Sequence, residues 1–157
     1  PDEADVEYVY DGLMVLGAQT AIDTIDLVIA SDGPDASVEQ EETEGLNGAP
    51  KLFKENCEID FAQPCKRVYD FIRGLSPVPG AGANVCLHDG AEPQLMKIYR
   101  SAKTATPCDA APGAVCASKK QLFIATADCW LEVLDLQMAG KKRMTAQAFT
   151  NGLSRDV

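Results

Sequence analysis

A short basic run, Lys141-Lys142-Arg143, is the stretch of this sequence whose residue types and spacing best suit binding to a charged ligand. It follows Gly140 at the end of a predicted strand, where three adjacent cations could reach several phosphates at once. Taken alone, a run of this length is more often a solvated basic turn. The run therefore offers phosphate binding as a hypothesis that needs independent support.

Side chains suited to catalysis are scarce in this chain. A hydrolase or transferase site needs a nucleophile, a base and an orienting group, or two carboxylates in different environments. The one histidine, His88, lies in the turn-like His88-Asp89-Gly90 and is predicted to be a surface loop residue. Gly80-Ala81-Gly82 follows a proline and opens no helix, so it lacks the context of a dinucleotide-binding turn. We expect no catalytic residue here.

The six cysteines form no CxxC pair and no cluster with histidine, so the sequence predicts no metal site. Their spacing is irregular, and nothing marks the chain for secretion. We expect reduced, mostly buried thiols rather than disulfides.

Charge is divided unevenly along the chain. The formal net charge is -10, which would ordinarily argue against a nucleic-acid partner. However, all 14 lysines and arginines lie from Lys51 onward, and 13 of the 24 acidic residues lie within residues 1–50. Residues 51–157 therefore carry a net charge of +3, which allows a partner with phosphates.

Two segments have the apolar spacing of helices. Apolar residues recur every three or four positions from Asp5 to Ala30, and Gly17 is expected to divide or kink that helix. A second, short helix is expected from Pro64, with Val68, Phe71, Ile72 and Leu75 on one face. The acidic, turn-rich stretch between the two helices, up to residue 63, is predicted to be a linker.

The rest of the chain has the pattern of short strands. They are predicted at Ala83–Leu87, Gln94–Arg100, Gly113–Ala117, Gln121–Thr126 and Trp130–Gln137. Tyr99, Phe123 and Trp130 could stack on bases but are more typical of a core. Thr145 is expected to cap a last helix through Phe149. This order predicts a mainly β fold with flanking helices, an OB-fold-like barrel after a helical segment, with a compact sandwich as the alternative.

No run approaches the ~18 apolar residues that cross a bilayer, and no signal segment opens the chain. We therefore expect a soluble, cytoplasmic protein, a monomer that does not bind membranes.

Four segments, taken in order, resemble one known family. They are Ala49–Glu55 with Ile59–Phe61, then Phe71–Ala81, then Ala111–Gly113, and finally Leu136–Ala146. In residue identity and in order they are similar to the linker and carboxy-terminal part of methionyl-tRNA formyltransferases. Tyr10–Ala18 is similar to the helix that closes the catalytic domain of that family.

The resemblance implies an enzyme of translation initiation that moves a formyl group from 10-formyltetrahydrofolate to the amino group of methionine on initiator tRNA. The family's catalytic Asn, His and Asp lie in an amino-terminal domain that has no counterpart here. The resemblance therefore implies a fragment that is inactive alone, binds no cofactor itself and works with that missing catalytic domain. It divides the chain into the end of the catalytic domain (1–31), a linker (32–63) and a tRNA-binding OB-fold-like domain (64–157).

The resemblance also turns the basic residues into candidate tRNA contacts. The expected phosphate contacts are Lys141, Lys142, Arg143, Lys51, Lys54 and Arg73. Two departures from the family pattern are Gly82, where a bulky aromatic is usual, and Cys129-Trp130, which replace a glycine-containing turn.

Two other functions stay open at this point. The chain could be the carboxy-terminal domain of another folate-dependent formyltransferase, of the sugar-nucleotide or formyltetrahydrofolate dehydrogenase type, with a structural role. It could also be a non-catalytic protein-interaction module that uses its acidic front half.

Overall fold

A computed structural model of the chain describes residues 1–31, 37–41, 43–87 and 92–153. The chain divides into two compact units, one made of Pro1–Val6 with Phe53–Val157 and the other of Glu7–Leu52. The predicted turn at His88 lies outside the described residues.

The second unit consists largely of helix α1 (Val6–Ala30). It is one continuous helix, so the prediction that Gly17 could divide it into two helices is wrong. A glycine inside a helix costs only about 1 kcal/mol relative to alanine, and a cooperative helix of this length tolerates it. None of its residues is buried, so its apolar side chains, among them Leu13, Leu16 and Ile25, are exposed.

Helix α1 is also long and apolar enough to cross a membrane by length and composition. The expectation that no run would reach this threshold is therefore wrong. The reason is that no charged residue lies between Asp11 and Asp23. Length and composition do not separate a membrane span from a helix that packs on another part of a protein.

The other unit is built on a six-stranded antiparallel sheet. Its strands are β1 (Ala81–Val85), β2 (Gln94–Pro107), β3 (Val115–Ala117), β4 (Leu122–Ala125), β5 (Cys129–Met138) and β6 (Met144–Thr145). The order is β1-β2-β5-β4-β3, and β6 pairs with β5. The five predicted strands are present, and the prediction of a mainly β fold with flanking helices is confirmed. The name OB-fold-like barrel stays a prediction.

The two long strands, β2 and β5, form the centre of the sheet, and an irregularity in β2 changes which side chains face out. Ile98 pairs with Leu136, and the register then shifts on both sides of Arg100, which lies opposite Asp135. Ile98 and Leu136 are buried. The shift brings Arg100 to the surface beside Asp135, as β-bulges commonly do near functional sites.

Helix α2 (Cys65–Leu75) packs on this sheet and supplies much of the core. Its buried side chains are Cys65, Val68, Tyr69, Ile72 and Leu75. Pro64 is the N-cap residue and offers no side-chain cap. The carboxylate of Asp128 instead accepts a hydrogen bond from the Cys65 backbone N–H at 2.7 Å, which satisfies a donor at the start of the helix.

The segment before α2 belongs to the same packed unit. A 3₁₀ turn at Lys54–Cys57 is followed by Ile59 and Phe61, which are buried in the core with Cys57. This unit includes the chain from Phe53 onward, so the last third of the expected linker, residues 53–63, contributes to it.

The last helix, α3 (Ala146–Leu153), begins as expected, because the Thr145 hydroxyl accepts a hydrogen bond from the Ala148 N–H at 3.2 Å.

At Gly82 in β1, an added Cβ would lie 3.1 Å from the carbonyl oxygen of Met96. The departure from the family pattern at Gly82 therefore coincides with a close approach of β1 and β2.

All six cysteines are free thiols. Only Cys57 and Cys65 are buried, so the expectation of mostly buried thiols is wrong, since Cys86 and Cys116 are exposed. Burial raises the pKa of the Cys65 thiol, which keeps this group protonated and unreactive at neutral pH.

Candidate nucleic-acid interface

Lys141 and Lys142 lie on a tight turn where β5 ends. Gly140 has a φ of 72°, which glycine adopts without strain. The Lys141 N–H donates to the Met138 carbonyl at 3.0 Å, and the Gln137 side-chain amide donates to the Lys141 carbonyl at 2.8 Å. The backbone of the turn is thus held in place while both lysine side chains are exposed. Within the described residues, neither ammonium group forms a salt bridge.

Arg143, the third residue of the basic run, is in a different environment. Its guanidinium forms a salt bridge with Asp135 at 3.1 Å and lies over the Tyr99 ring, 4.6 Å from the ring centroid. The Tyr99 hydroxyl donates to the Gln137 side-chain carbonyl at 2.7 Å. Arg143 is therefore a positioned cation whose remaining donors can still reach a ligand, since a guanidinium carries five.

Asp135 also contacts Arg100, whose guanidinium is 3.6 Å from the same carboxylate oxygen. The Asp135 side chain is only 16% exposed, which strengthens its interaction with both cations. Because Arg100 is 65% exposed and Arg143 is 44% exposed, both arginines keep donors open to solvent.

A groove with a volume of about 410 Å³ lies between α2 and β2. Arg73 from α2 and Lys103 from β2 both lie over the ring of Tyr69, at 5.7 and 4.9 Å from its centroid. Arg73 also forms a salt bridge with Asp70 at 2.8 Å, and the hydrogen bond in that pair raises the pKa of Arg73. Arg100 lines the same groove, so cations from two elements converge on it.

The acidic segment Pro1–Val6 forms a third wall of this groove, which Asp2, Glu3 and Asp5 line. The Asp2 carboxylate accepts a hydrogen bond from the Lys103 ammonium at 2.7 Å, which lowers the pKa of Asp2 and raises that of Lys103. The Tyr69 hydroxyl donates to the Asp2 carbonyl at 2.9 Å, and Arg73 donates to the Ala4 carbonyl at 3.0 Å.

The structure brings some of the predicted contacts together and separates others. Arg73 lines the groove with Arg100, and Arg143 joins them through Asp135. Lys54 is exposed at the start of the 3₁₀ turn, and no contact links it to this cluster among the described residues. Lys51 belongs to the other unit.

Sequence reasoning missed Arg100 and Lys103. Strand β2 was predicted to end at Arg100, but it continues to Pro107 and carries Lys103 to the groove. No two-residue period marked these two residues, because the register shifts on both sides of Arg100 interrupt the alternation of the strand. The aromatic residues Tyr99, Phe123 and Trp130 are all partly exposed rather than core residues.

These observations define a class of domain. It has a mainly antiparallel sheet with flanking helices and exposes several cations at its surface. The chain belongs to the family of formyl transferase C-terminal domains, whose model matches residues 51–154. The structure is similar to the crystal structure of a variant of HypX from Aquifex aeolicus. Its TM-score is 0.56 and its identity 14%, over 92% of this chain and 24% of HypX, so the likeness concerns the fold alone.

The curated relatives identify the branch of the family. The chain is 41% identical over 155 residues to a methionyl-tRNA formyltransferase from Phocaeicola vulgatus, covering 96% of this chain and 47% of the relative. It is 40% identical over 159 residues to the methionyl-tRNA formyltransferase of Parabacteroides distasonis, covering 98% of this chain and 48% of the relative. The chain thus spans about half the length of the curated relatives it matches. The resemblance carried by the four sequence motifs is confirmed, and the alternative of another folate-dependent formyltransferase is not favoured.

Proposed function

We propose that this chain is the tRNA-binding part of a cytoplasmic, monomeric methionyl-tRNA formyltransferase. The whole enzyme transfers formyl from 10-formyltetrahydrofolate to the amino group of methionine on initiator tRNA in translation initiation. Relatives of that name match 96% of this chain, which supports the proposal. A catalytic domain with an Asn, a His and an Asp carries out the transfer itself. This chain positions the tRNA.

The observation that carries the proposal is the pair of exposed lysines, Lys141 and Lys142, held on a fixed turn with no acidic partner among the described residues. A lysine without a protein partner keeps its charge available for a phosphate and releases counterions on binding. Such contacts supply affinity and orientation but little base specificity. Arg143, Arg73, Lys54 and Lys51 complete the proposed set of contacts.

Residues 1–31 are proposed to complete the catalytic half, with 32–63 as the connection and 64–157 as the tRNA-binding domain. Helix α1 supports this division, because exposed apolar residues along a helix need a partner surface. Residues 1–31 lie in the region shared with relatives named methionyl-tRNA formyltransferase. We therefore propose that the catalytic half, rather than a lipid bilayer, covers α1.

A salt titration of initiator tRNA binding tests the proposal. The chain is titrated into fluorescently labelled tRNA at several salt concentrations, and anisotropy gives the Kd. We expect the logarithm of the affinity to fall linearly with the logarithm of the salt concentration, because phosphate contacts release counterions. Binding that does not respond to salt, or an absence of binding at low salt, would overturn the proposal.

A further inference from the structure

We propose that the groove between α2 and β2 is a binding site for the oxyanions of a phosphodiester chain, and that the acidic segment Pro1–Val6 competes with the tRNA backbone for it. The inference rests on the proposed function only in naming tRNA as the competing ligand.

The groove presents donors, and the segment supplies acceptors. The Lys103 ammonium, the Tyr69 hydroxyl and the Arg73 guanidinium all donate to oxygen atoms of the segment. Ammonium and guanidinium groups bind phosphate oxygens as readily as carboxylate oxygens. The side-chain oxygen of Ser101, which also lines the groove, is buried and makes no hydrogen bond within the described residues. The groove thus offers a further unused donor.

The charge of the groove also favours a phosphodiester chain as its ligand. Three cations line the groove, namely Arg73, Arg100 and Lys103. Asp70 and Asp135, which form salt bridges with Arg73 and Arg100, are not among its described lining residues. The three acidic residues that line the groove all belong to the segment, and they offset the charge of the three cations. A phosphodiester chain would do the same, because it also carries closely spaced negative charges.

The segment is held by contacts that a polyanion can replace. Asp2 is 64% exposed and Lys103 is 35% exposed in their salt bridge, and such pairs are weak and screened by salt. No residue of the segment is fully buried, so little apolar packing opposes its release. The acidic segment therefore engages the donors of the groove until a ligand with denser charge displaces it.

Neutralising the segment tests this competition. In the whole chain, D2N/E3Q/D5N is compared with D11N/D23N/D26N, which makes the same change in net charge on the exposed surface of α1. The Kd for initiator tRNA is measured by anisotropy at one salt concentration. The first variant should bind about fivefold more tightly than the wild type, the gain expected if the segment covers the groove about four-fifths of the time. The control should change far less, and an equal gain in both variants would overturn the inference.

A second measurement separates this inference from the proposed function. Tripolyphosphate is added to the wild-type chain, and the amide NMR signals of Asp2 and Ala4 are followed. We expect them to move toward their positions in a Lys103→Met variant, in which the salt bridge is absent. If the signals do not move, the groove does not bind oxyanions, even if tRNA binds elsewhere. If they move but tRNA does not bind, the proposed function is wrong and the groove assignment holds.

Discussion

The guanidinium of Arg143 lies 4.6 Å from the centre of the Tyr99 ring, and Asp135 holds it there through a salt bridge. This arrangement divides the basic run into two kinds of residue. Arg143 is fixed to the sheet, whereas Lys141 and Lys142 are exposed on a turn whose backbone is held by hydrogen bonds.

Replacing Lys141 and Lys142 together by glutamine should weaken tRNA binding and make it less sensitive to salt. If each lysine contacts one phosphate, the slope of log affinity against log salt should fall by about two. The thermal stability should not change, because neither ammonium has a salt bridge to lose among the described residues. A Lys119→Gln, Lys120→Gln variant is the matched control, and an equal loss there would mean that only overall charge matters.

Replacing Arg143 by methionine should lower the stability of the free protein. The change removes the contact with the Tyr99 ring, and a cation over an aromatic ring at the surface contributes about 0.5–1 kcal/mol. Urea unfolding without tRNA measures the loss, with Lys142→Met as the control. If the two variants are equally stable, Arg143 is an unconstrained surface cation like its neighbours.

Replacing Gly80 by alanine should destabilise the domain and disturb Tyr99. Gly80 has a φ of 81°, and a side chain in that region of backbone space costs about 1–3 kcal/mol. An added Cβ would also lie 3.2 Å from the Tyr99 ring. Gly74→Ala in α2 is the matched control. It has open space around it and should stabilise the helix by about 0.5–1 kcal/mol. A Gly80→Ala variant as stable as the wild type would contradict this account.

The contribution of Asp128 to stability should depend on pH. The hydrogen bond from the Cys65 N–H lowers the pKa of Asp128 in the folded state. Its stabilisation is therefore full above the ordinary aspartate pKa of about 4, and it is lost as the pH falls through the lower folded-state pKa. The difference in melting temperature between the wild type and Asp128→Ala should be largest near neutral pH and should shrink in acid.

An Asp128→Asn variant isolates the charge from the hydrogen bond. Its amide oxygen can still accept from Cys65, so it should lie between the wild type and the alanine variant at neutral pH. Its own stability should lack the part of the acid dependence that comes from Asp128. A difference between wild type and Asp128→Ala that is constant from neutral pH into acid would mean that the carboxylate charge plays no part at the start of α2.

Much of the fold could be predicted from local patterns. The alternation of the strands, the Thr145 cap and the proline at the start of α2 concern neighbouring residues, and each predicted element is present, although β2 is longer than its pattern indicated and α2 begins one residue after Pro64. The basic run was likewise visible, because its three residues are adjacent. The continuity of α1 was missed because a single glycine was given more weight than the cooperativity of a long helix.

The sequence by itself determined the family, the order of the elements and the exposed lysines at the end of β5, because these depend on residues close together in the chain. Only the tertiary structure decided which cations share a site. The bulge at Arg100 sets its pairing with Asp135, and the contact of Asp2 with Lys103 spans 101 positions of sequence. Such contacts arise when the sheet and α2 pack together, and no local period or spacing encodes them.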